Sequence, residues 1–312
     1  MVKGLPAVLI EAFSDQALGG NGAAVVALEH PAPAWWMQRL AHRLQQSETA
    51  FVVAVEGGWA LRWFTPTQEV PLCGHATLAA TLALGHWHRL PADGATTFRT
   101  RSGPLNVQRR VPPSPAQAPG LPMAQIDLPK LELIPSEAPA DLATLLGARL
   151  LQHGPFAFWS SPLYQVALLS PSAPLAQLDG LAEDLQGQAR QGLVVMQALQ
   201  AGANPAAVVA GKAADYQLRF FAPGLGIDED PVTGSAHALV APYWMAALQR
   251  LSVVGWQCSD RPGGMVCEMG SSGMIRLIGA GHLLWEGTLW AEPEHCSGPS
   301  KAWEDWQQAC DL

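Results

Sequence analysis

The apolar and polar positions follow two periods. Short runs alternate or stay apolar over five to eight residues, as half-buried and buried strands do. Ala7–Phe13, Phe51–Val55 and Trp59–Phe64 read this way, the last two as a hairpin across Glu56-Gly57-Gly58. Thr96–Arg101 and Leu105–Gln108 form a second hairpin pattern. Further along, Ala124–Leu128, Tyr164–Leu169, Leu193–Met196, Tyr216–Phe221, Trp256–Ser259, Met265–Met269, Met274–Ile278 and His282–Leu289 are strand-like. Helical spacing is rarer. Ala34–Gln46 is amphipathic, and Asp141–Leu146 makes a short helix. His75–Leu84 and Ser235–Leu248 are apolar on every side and predict buried helices, with Pro242 a point where the second kinks or restarts. Strands outnumber helices in each half, with one buried helix apiece, which predicts α+β rather than a doubly wound parallel sheet.

The pattern repeats. RWFTPTQEVPLCGHATLA at Arg62–Ala79 aligns with RFFAPGLGIDEDPVTGSAHAL at Arg219–Leu239. Glu69 falls on Glu229, Pro71 on Pro231, Gly74 on Gly234 and His75 on Ser235. Upstream, Arg62, Phe64 and Pro66 fall on Arg219, Phe221 and Pro223 once three extra residues are allowed in the second copy. Such a repeat predicts two similar halves. Each copy runs from an aromatic strand through a Pro/Gly loop into an Ala-rich helix. Helix N-termini present unpaired N–H groups and a positive dipole end. Two of them facing each other would hold a carboxylate, so the expected site is a cleft between the halves. Val111–Gly120, rich in Pro, reads as the linker. The expected domains are residues 1–117 with about 280–312, and residues 124–279.

Composition narrows the function. The 312 residues are 49% apolar and 14% charged, with a net charge of −8 and no basic block, so nucleic acid is not expected as a partner. No long apolar run suggests a membrane span, and the first ten residues carry no leader pattern. The five cysteines are odd in number and lack a CxxC pair. That fits a reducing cytoplasm and gives no metal-ligand signature. Gly19-Gly20-Asn21-Gly22 is a tight-turn pattern; without GxGxxG spacing or a Walker lysine it is no nucleotide loop. Glu48 is either a solvated loop carboxylate or a general acid/base raised by apolar walls. His75 is either a core histidine or a site residue, and its place at a helix N-terminus would favour the neutral ring. The residues alone leave both open.

SETAFV at Ser47–Val52, the Arg62–Ala80 stretch, GIDEDPVTGSAHALVAPYW at Gly226–Trp244 and EAFSDQALGGNGAAVV near the start together resemble the PhzF-like proteins of phenazine biosynthesis. The resemblance implies the diaminopimelate-epimerase fold: two pseudo-symmetric domains, each a curled β-sheet or barrel around a central helix. It implies that the last strand returns to the first domain, and a homodimer. It makes Glu48 the proton-transferring residue. His75, Asp230 and Ser235 match substrate-holding positions, Gly74 and Gly234 the backbone at the helix ends, and Asn21 and Ser47 site-lining positions. Three departures stand out. Gly22 replaces the usual Pro, Glu11 stands where Asp is commoner, and Pro262 is inserted in Asp260-Arg261-Pro262-Gly263-Gly264.

Racemases of the superfamily use two cysteines, and the repeat puts Cys73 and Thr233 at those positions. Thr233 is no thiol, which excludes that chemistry. Cys73 is otherwise a small buried hydrophobe. The expected function is a cofactor-independent, metal-free isomerase of a small carboxylic acid. The alternatives are an epimerase using Glu48 and Asp230, or a non-catalytic acid-binding protein on the same fold.

Overall fold

The computed structural model describes residues 4–111, 121–150, 157–186, 191–200, 202, 204–271, 273–291, 293 and 299–310; at 225 and 299–303 it describes the backbone alone. Most of the expected linker, residues 112–120, and Cys296 lie outside the described residues. The chain divides into two compact units, Met1–Asp127 with Ile278–Leu312, and Leu128–Leu277.

The first unit opens with β1 (Leu5–Ala12) and β2 (Asn21–Leu28), an antiparallel pair. Helix α1 (Ala34–Leu44) follows, then β3 (Glu48–Val55), β4 (Gly58–Phe64) and the two-residue β5 (Glu69–Val70). Helix α2 (Gly74–His86) leads to β6 (Ala95–Thr100), β7 (Gly103–Arg110) and β8 (Met123–Pro129). Strand β2 is parallel to β3, β3 antiparallel to β4, β4 parallel to β6, and β6 antiparallel to β7. All eight residues of β2 are buried, as its unbroken apolar run requires of a strand covered on both faces. Helix α2 is buried from Gly74 to Gly85. Its two interior threonines satisfy their hydroxyls locally, Thr77 on Cys73 O at 2.5 Å and Thr81 on Thr77 O at 2.9 Å. That is why an Ala/Thr/Leu helix can run through an apolar interior without polar debt.

The second unit repeats the strand order. It contains β9 (Ile134–Pro135), α3 (Ala140–Leu150), β10 (Ala157–Ser160), β11 (Tyr164–Leu168), α4 (Leu181–Asp184) and β12 (Gly192–Ala198). A small ladder of β13 (Val208–Val209) and β14 (Lys212–Ala213) precedes β15 (Tyr216–Ala222), β16 (Ile227–Glu229), α5 (Gly234–Leu248), β17 (Ser252–Gln257) and β18 (Gly263–Met269). Strand β11 is parallel to β12, β12 antiparallel to β15, β15 parallel to β17, and β17 antiparallel to β18. This is the alternation of the first unit, strand for strand. Helix α5 runs unbroken through Pro242.

Strand β19 (Met274–Leu289) is one strand of 16 residues, where the sequence pattern reads two. The apparent break at Gly279-Ala280-Gly281 is a packing feature. A Cβ on Gly279 would lie 2.5 Å from the Phe13 ring, and one on Gly281 2.6 Å from Leu82. The second half of β19 pairs antiparallel with β1. Strand β17 starts four residues before the expected Trp256, and Cys258 and Ser259 lie beyond its end. The C-terminal stretch, an Ala/Trp/Asp tail with no clear function in the sequence, forms α6 (Pro299–Cys310). Trp306 and Cys310 from α6 join Trp36, Met37, Phe51 and Phe64 in one apolar cluster. Among the described residues, no helix is long and apolar enough to cross a membrane.

Candidate active site

In the first unit five sequence-predicted residues come together. Asn21 starts β2, Ser47 and Glu48 sit where the chain enters β3, and Gly74 and His75 open α2. Because β2 and β3 run parallel, with Ala23 beside Glu48, their starts lie at the same end. Asn21 Nδ2 is 3.2 Å from His75 Nδ1, and Ser47 Oγ is 3.3 Å from His75 Nε2. Ser47 Oγ also donates to Gly22 O at 2.8 Å and lies 3.1 Å from Asn21 Oδ1. His75 Nε2 is 2.9 Å from Glu48 Oε2, an ion-pair distance without hydrogen-bond alignment, and that buried oxygen accepts no hydrogen bond among the described residues. Cys73, the N-cap of α2, makes no capping bond through its side chain; its Sγ lies 3.5 Å from Nδ1 and 3.8 Å from Nε2 of His75.

The electrostatics are those of a buried ion pair. Burial raises the Glu48 carboxyl, but the positive ring of His75 and the polar hydrogens of Ser47 and Cys73 bring it below the usual 4.5. Burial opposes a charged His75, yet Cys73 and Glu48 beside it raise it well above 6.5. The Cys73 thiol is itself pushed up to about 11 by burial and by Glu48. At neutral pH it therefore stays protonated, and Glu48 supplies the charge that keeps the proton on His75. The neutral ring expected from the helix N-terminus is thus overturned, because a carboxylate 2.9 Å away outweighs the dipole. With both ring nitrogens protonated, the Asn21 amide is satisfied when its oxygen meets Nδ1 and its nitrogen meets Ser47 Oγ.

In the second unit Asp230, Gly234 and Ser235 stand around the start of α5. Ser235 Oγ is 2.8 Å from Tyr164 OH, and Thr233 Oγ1 donates to Asp230 Oδ2 at 2.6 Å. The loop is held from behind by Gln257, the last residue of β17. Its Oε1 accepts Thr233 N–H at 2.8 Å and its Nε2 donates to Asp230 O at 2.5 Å. Neither Tyr164 nor Gln257 is legible in the sequence. Each reaches its partner across a long stretch of chain, and neither lies in the repeated segment.

Both loops that enter the two buried helices are pinned alike. Arg62 forks onto Glu69 at 2.8 Å through both Nε and NH2, and Arg219 onto Glu229 at 2.8 and 2.6 Å. Ser102 Oγ donates to Pro71 O at 2.7 Å, and Ser259 Oγ to Pro231 O at 2.8 Å. Two departures from the family pattern are neighbours. Glu11 and Gly22 are paired across the β1–β2 ladder, and a Cβ on Gly22 would lie 3.4 Å from the Glu11 carboxylate oxygens. The third departure, Pro262, immediately precedes β18, and Gly264 within that strand approaches Gly255 O too closely for a side chain.

Two halves with one strand order, each sending a buried helix from a pinned loop with polar groups in its first turn, define an α+β protein of the epimerase type. The chain belongs to the phenazine biosynthesis-like protein family, whose model matches residues 10–282. A human phenazine biosynthesis-like domain-containing protein is 33% identical over 301 residues, covering 92% of this chain and 99% of that one. An uncharacterized isomerase of Pseudomonas aeruginosa is 36% identical over 264 residues, covering 83% and 89%. A crystal structure of a PhzF-family phenazine biosynthesis protein from Enterococcus faecalis superposes with a TM-score of 0.78 at 28% identity, covering 93% of this chain and all of that one.

Proposed function

We propose that the protein is a cofactor-independent isomerase that shifts a proton within a small carboxylic acid, with Glu48 taking the proton from carbon and returning it. The observation that carries the reading is the Glu48 carboxylate. It is buried, its pKa is held below the ordinary value, and its Oε2 accepts no hydrogen bond among the described residues. A carboxylate fixed beside an imidazolium is ionised and oriented before substrate arrives, as a general base must be. The raised pKa expected from its apolar walls is overturned by His75, which makes it a weaker base than expected. The isomerase name of a bacterial relative supports the class. His75, Asn21 and Ser47 orient the substrate at the first helix, and Asp230 and Ser235 at the second. Gly74 and Gly234, the first residues of those helices, stand where backbone N–H groups lack intrahelical acceptors and suit a carboxylate. Two-thiol racemisation is unsupported: Cys73 stays a thiol, and Thr233 spends its hydroxyl on Asp230.

The test is solvent deuterium incorporation in heavy water over a panel of small carboxylic acids, read by mass spectrometry and NMR. Label at a new carbon is expected, with Glu48→Gln slower by about 100- to 10,000-fold while still folded. Turnover in Glu48→Gln at the native rate would remove Glu48 from the mechanism. Label at an unchanged, inverted carbon would move the reaction to epimerisation.

A further inference from the structure

We propose that Tyr164 is the second unit's counterpart of Glu48, a positioning residue whose phenol donates to Ser235 Oγ and leaves the Ser235 hydroxyl to donate to a carboxylate oxygen of the substrate. It rests on the proposed function, in which Ser235 meets the substrate.

The strand registers identify the counterpart. Phe64 falls on Phe221 in the repeat. Thr49 stands opposite Phe64 across β3 and β4, and Leu193 opposite Phe221 across β12 and β15. Leu193 is therefore the mate of Thr49, and Gly192, one residue earlier, is the mate of Glu48. Beside Glu48 on the parallel strand β2 stands Ala23, and beside Gly192 on the parallel strand β11 stands Tyr164. The two units divide the same place differently. In the first, β2 carries the small residue and β3 the polar side chain. In the second, β12 carries no side chain and the polar group comes from β11.

The second arrangement is built around a glycine. A Cβ on Gly192 would lie 2.4 Å from the Phe220 ring and 3.1 Å from the Tyr164 ring. Those two rings pack edge to face with centres 4.7 Å apart, so aromatic carbon fills the space that a side chain at Gly192 would take. The Tyr164 hydroxyl then meets Ser235 Oγ at 2.8 Å, in the repeat column of His75, which Glu48 meets at 2.9 Å in the first unit. In each unit the second residue of the buried helix is engaged by the strand pair before it.

Chemistry sets the direction of the bond. A phenol is more acidic than an aliphatic alcohol and is the stronger donor, and each hydroxyl has one hydrogen to give. With Tyr164 donating, the Ser235 O–H has no acceptor among the described residues. The bond it receives strengthens the one it gives. Both residues are half-buried, so a ligand can reach them. The acceptor is an anion, because Ser235 follows Gly234 in the first turn of α5, where backbone N–H groups also lack intrahelical acceptors.

Four proteins test the pair: native, Tyr164→Phe, Ser235→Ala and the double variant, each checked for folding by circular dichroism. Phenylalanine keeps the ring against Phe220 and removes only the hydroxyl. Benzoate, a carboxylate that cannot undergo the proton shift, is titrated by calorimetry. Ser235→Ala should weaken its binding about 10-fold and Tyr164→Phe about 3- to 10-fold. The double variant should bind no more weakly than Ser235→Ala, because the phenol acts only through the serine. Losses that multiply in the double variant, native affinity in Tyr164→Phe, or a native protein that binds no benzoate would each overturn the pair. Deuterium exchange separates this from the isomerase reading. If Glu48→Gln abolishes exchange while benzoate binding ignores both hydroxyls, the isomerase stands and the pair falls. If benzoate binding responds as expected and no acid exchanges, the pair stands and the isomerase falls.

Discussion

Two buried histidines show how neighbours decide charge. His75 keeps its proton because Glu48 faces it. His237, fully buried on α5, has no such partner and is pushed down to about 3 by burial. Its Nδ1 shares a hydrogen bond with Tyr216 OH at 2.8 Å, and the Tyr216 ring stacks on Trp244 at 5.3 Å. Gly255 makes room for the pair, since a Cβ there would lie 2.4 Å from Nδ1. The stability consequence has a definite sign. In the unfolded chain the imidazole titrates near its ordinary 6.5, while in the fold it stays neutral down to about 3. Below 6.5 the unfolded state binds the extra proton, so the contribution is present above that value and lost as pH falls toward 3. At pH 5 the loss is about 2 kcal/mol. Urea denaturation at pH 7, 6 and 5 should show it, and His237→Asn should flatten the slope by about 1.4 kcal/mol per pH unit. Equal slopes in the two proteins would mean the native ring is protonated. His75 works in the opposite direction. Its stabilisation is present below 6.5 and lost as pH rises through its raised folded value.

At the scale of elements, the Arg–Glu forks explain how flexible Pro/Gly loops deliver helix starts to fixed places. The side chains of Arg219 and Glu229 are 4% and 18% exposed, and the guanidinium lies 5.0 Å from the Phe221 ring centre. Removing one partner strands the other, so Arg219→Met should cost about 3 kcal/mol in urea denaturation. The double variant Arg219→Met/Glu229→Leu should recover more than half of that, because it leaves no buried unpaired charge, the other partner Asp179 being exposed. Strictly additive losses would show that the fork carries no coupling. The members of these forks were legible in the sequence as matched columns of the repeat, though not their pairing, and the two buried helices were legible from their apolar composition. Other features depended on tertiary context. Gly279 and Gly281 look like a turn and are close-packed strand residues. The Glu48–His75 ion pair needed the parallel β2–β3 pairing to bring strand starts beside a helix start. Gln257, behind the Asp230 loop, belongs to no motif.

At the scale of the whole molecule, the repeated strand order accounts for most of both units, but α6 has no counterpart in it and lies beyond residue 282, where the family match ends. Its role is visible in what it covers. Trp306 is completely buried, donates through Nε1 to Ala32 O at 2.8 Å, and sets its ring 5.4 Å from the Arg62 guanidinium. Asp305 takes NH1 of the same arginine at 2.7 Å. Arg62 thus lies between the rings of Phe64 and Trp306 while forking onto Glu69. The helix therefore closes the apolar cluster of the first unit and braces the arginine that pins the loop before His75. Trp306→Ala should cost about 3–5 kcal/mol, the range for emptying a buried aromatic site. Hydrogen exchange should place the loss unevenly. Protection should fall in α1, β4 and the Thr65–Cys73 loop, while β12, β15 and β17 of the second unit keep theirs. An even loss across both units would mean that they open as one cooperative block. An unchanged midpoint would mean that the cluster closes without α6, and the arginine would then owe its position to Glu69 alone.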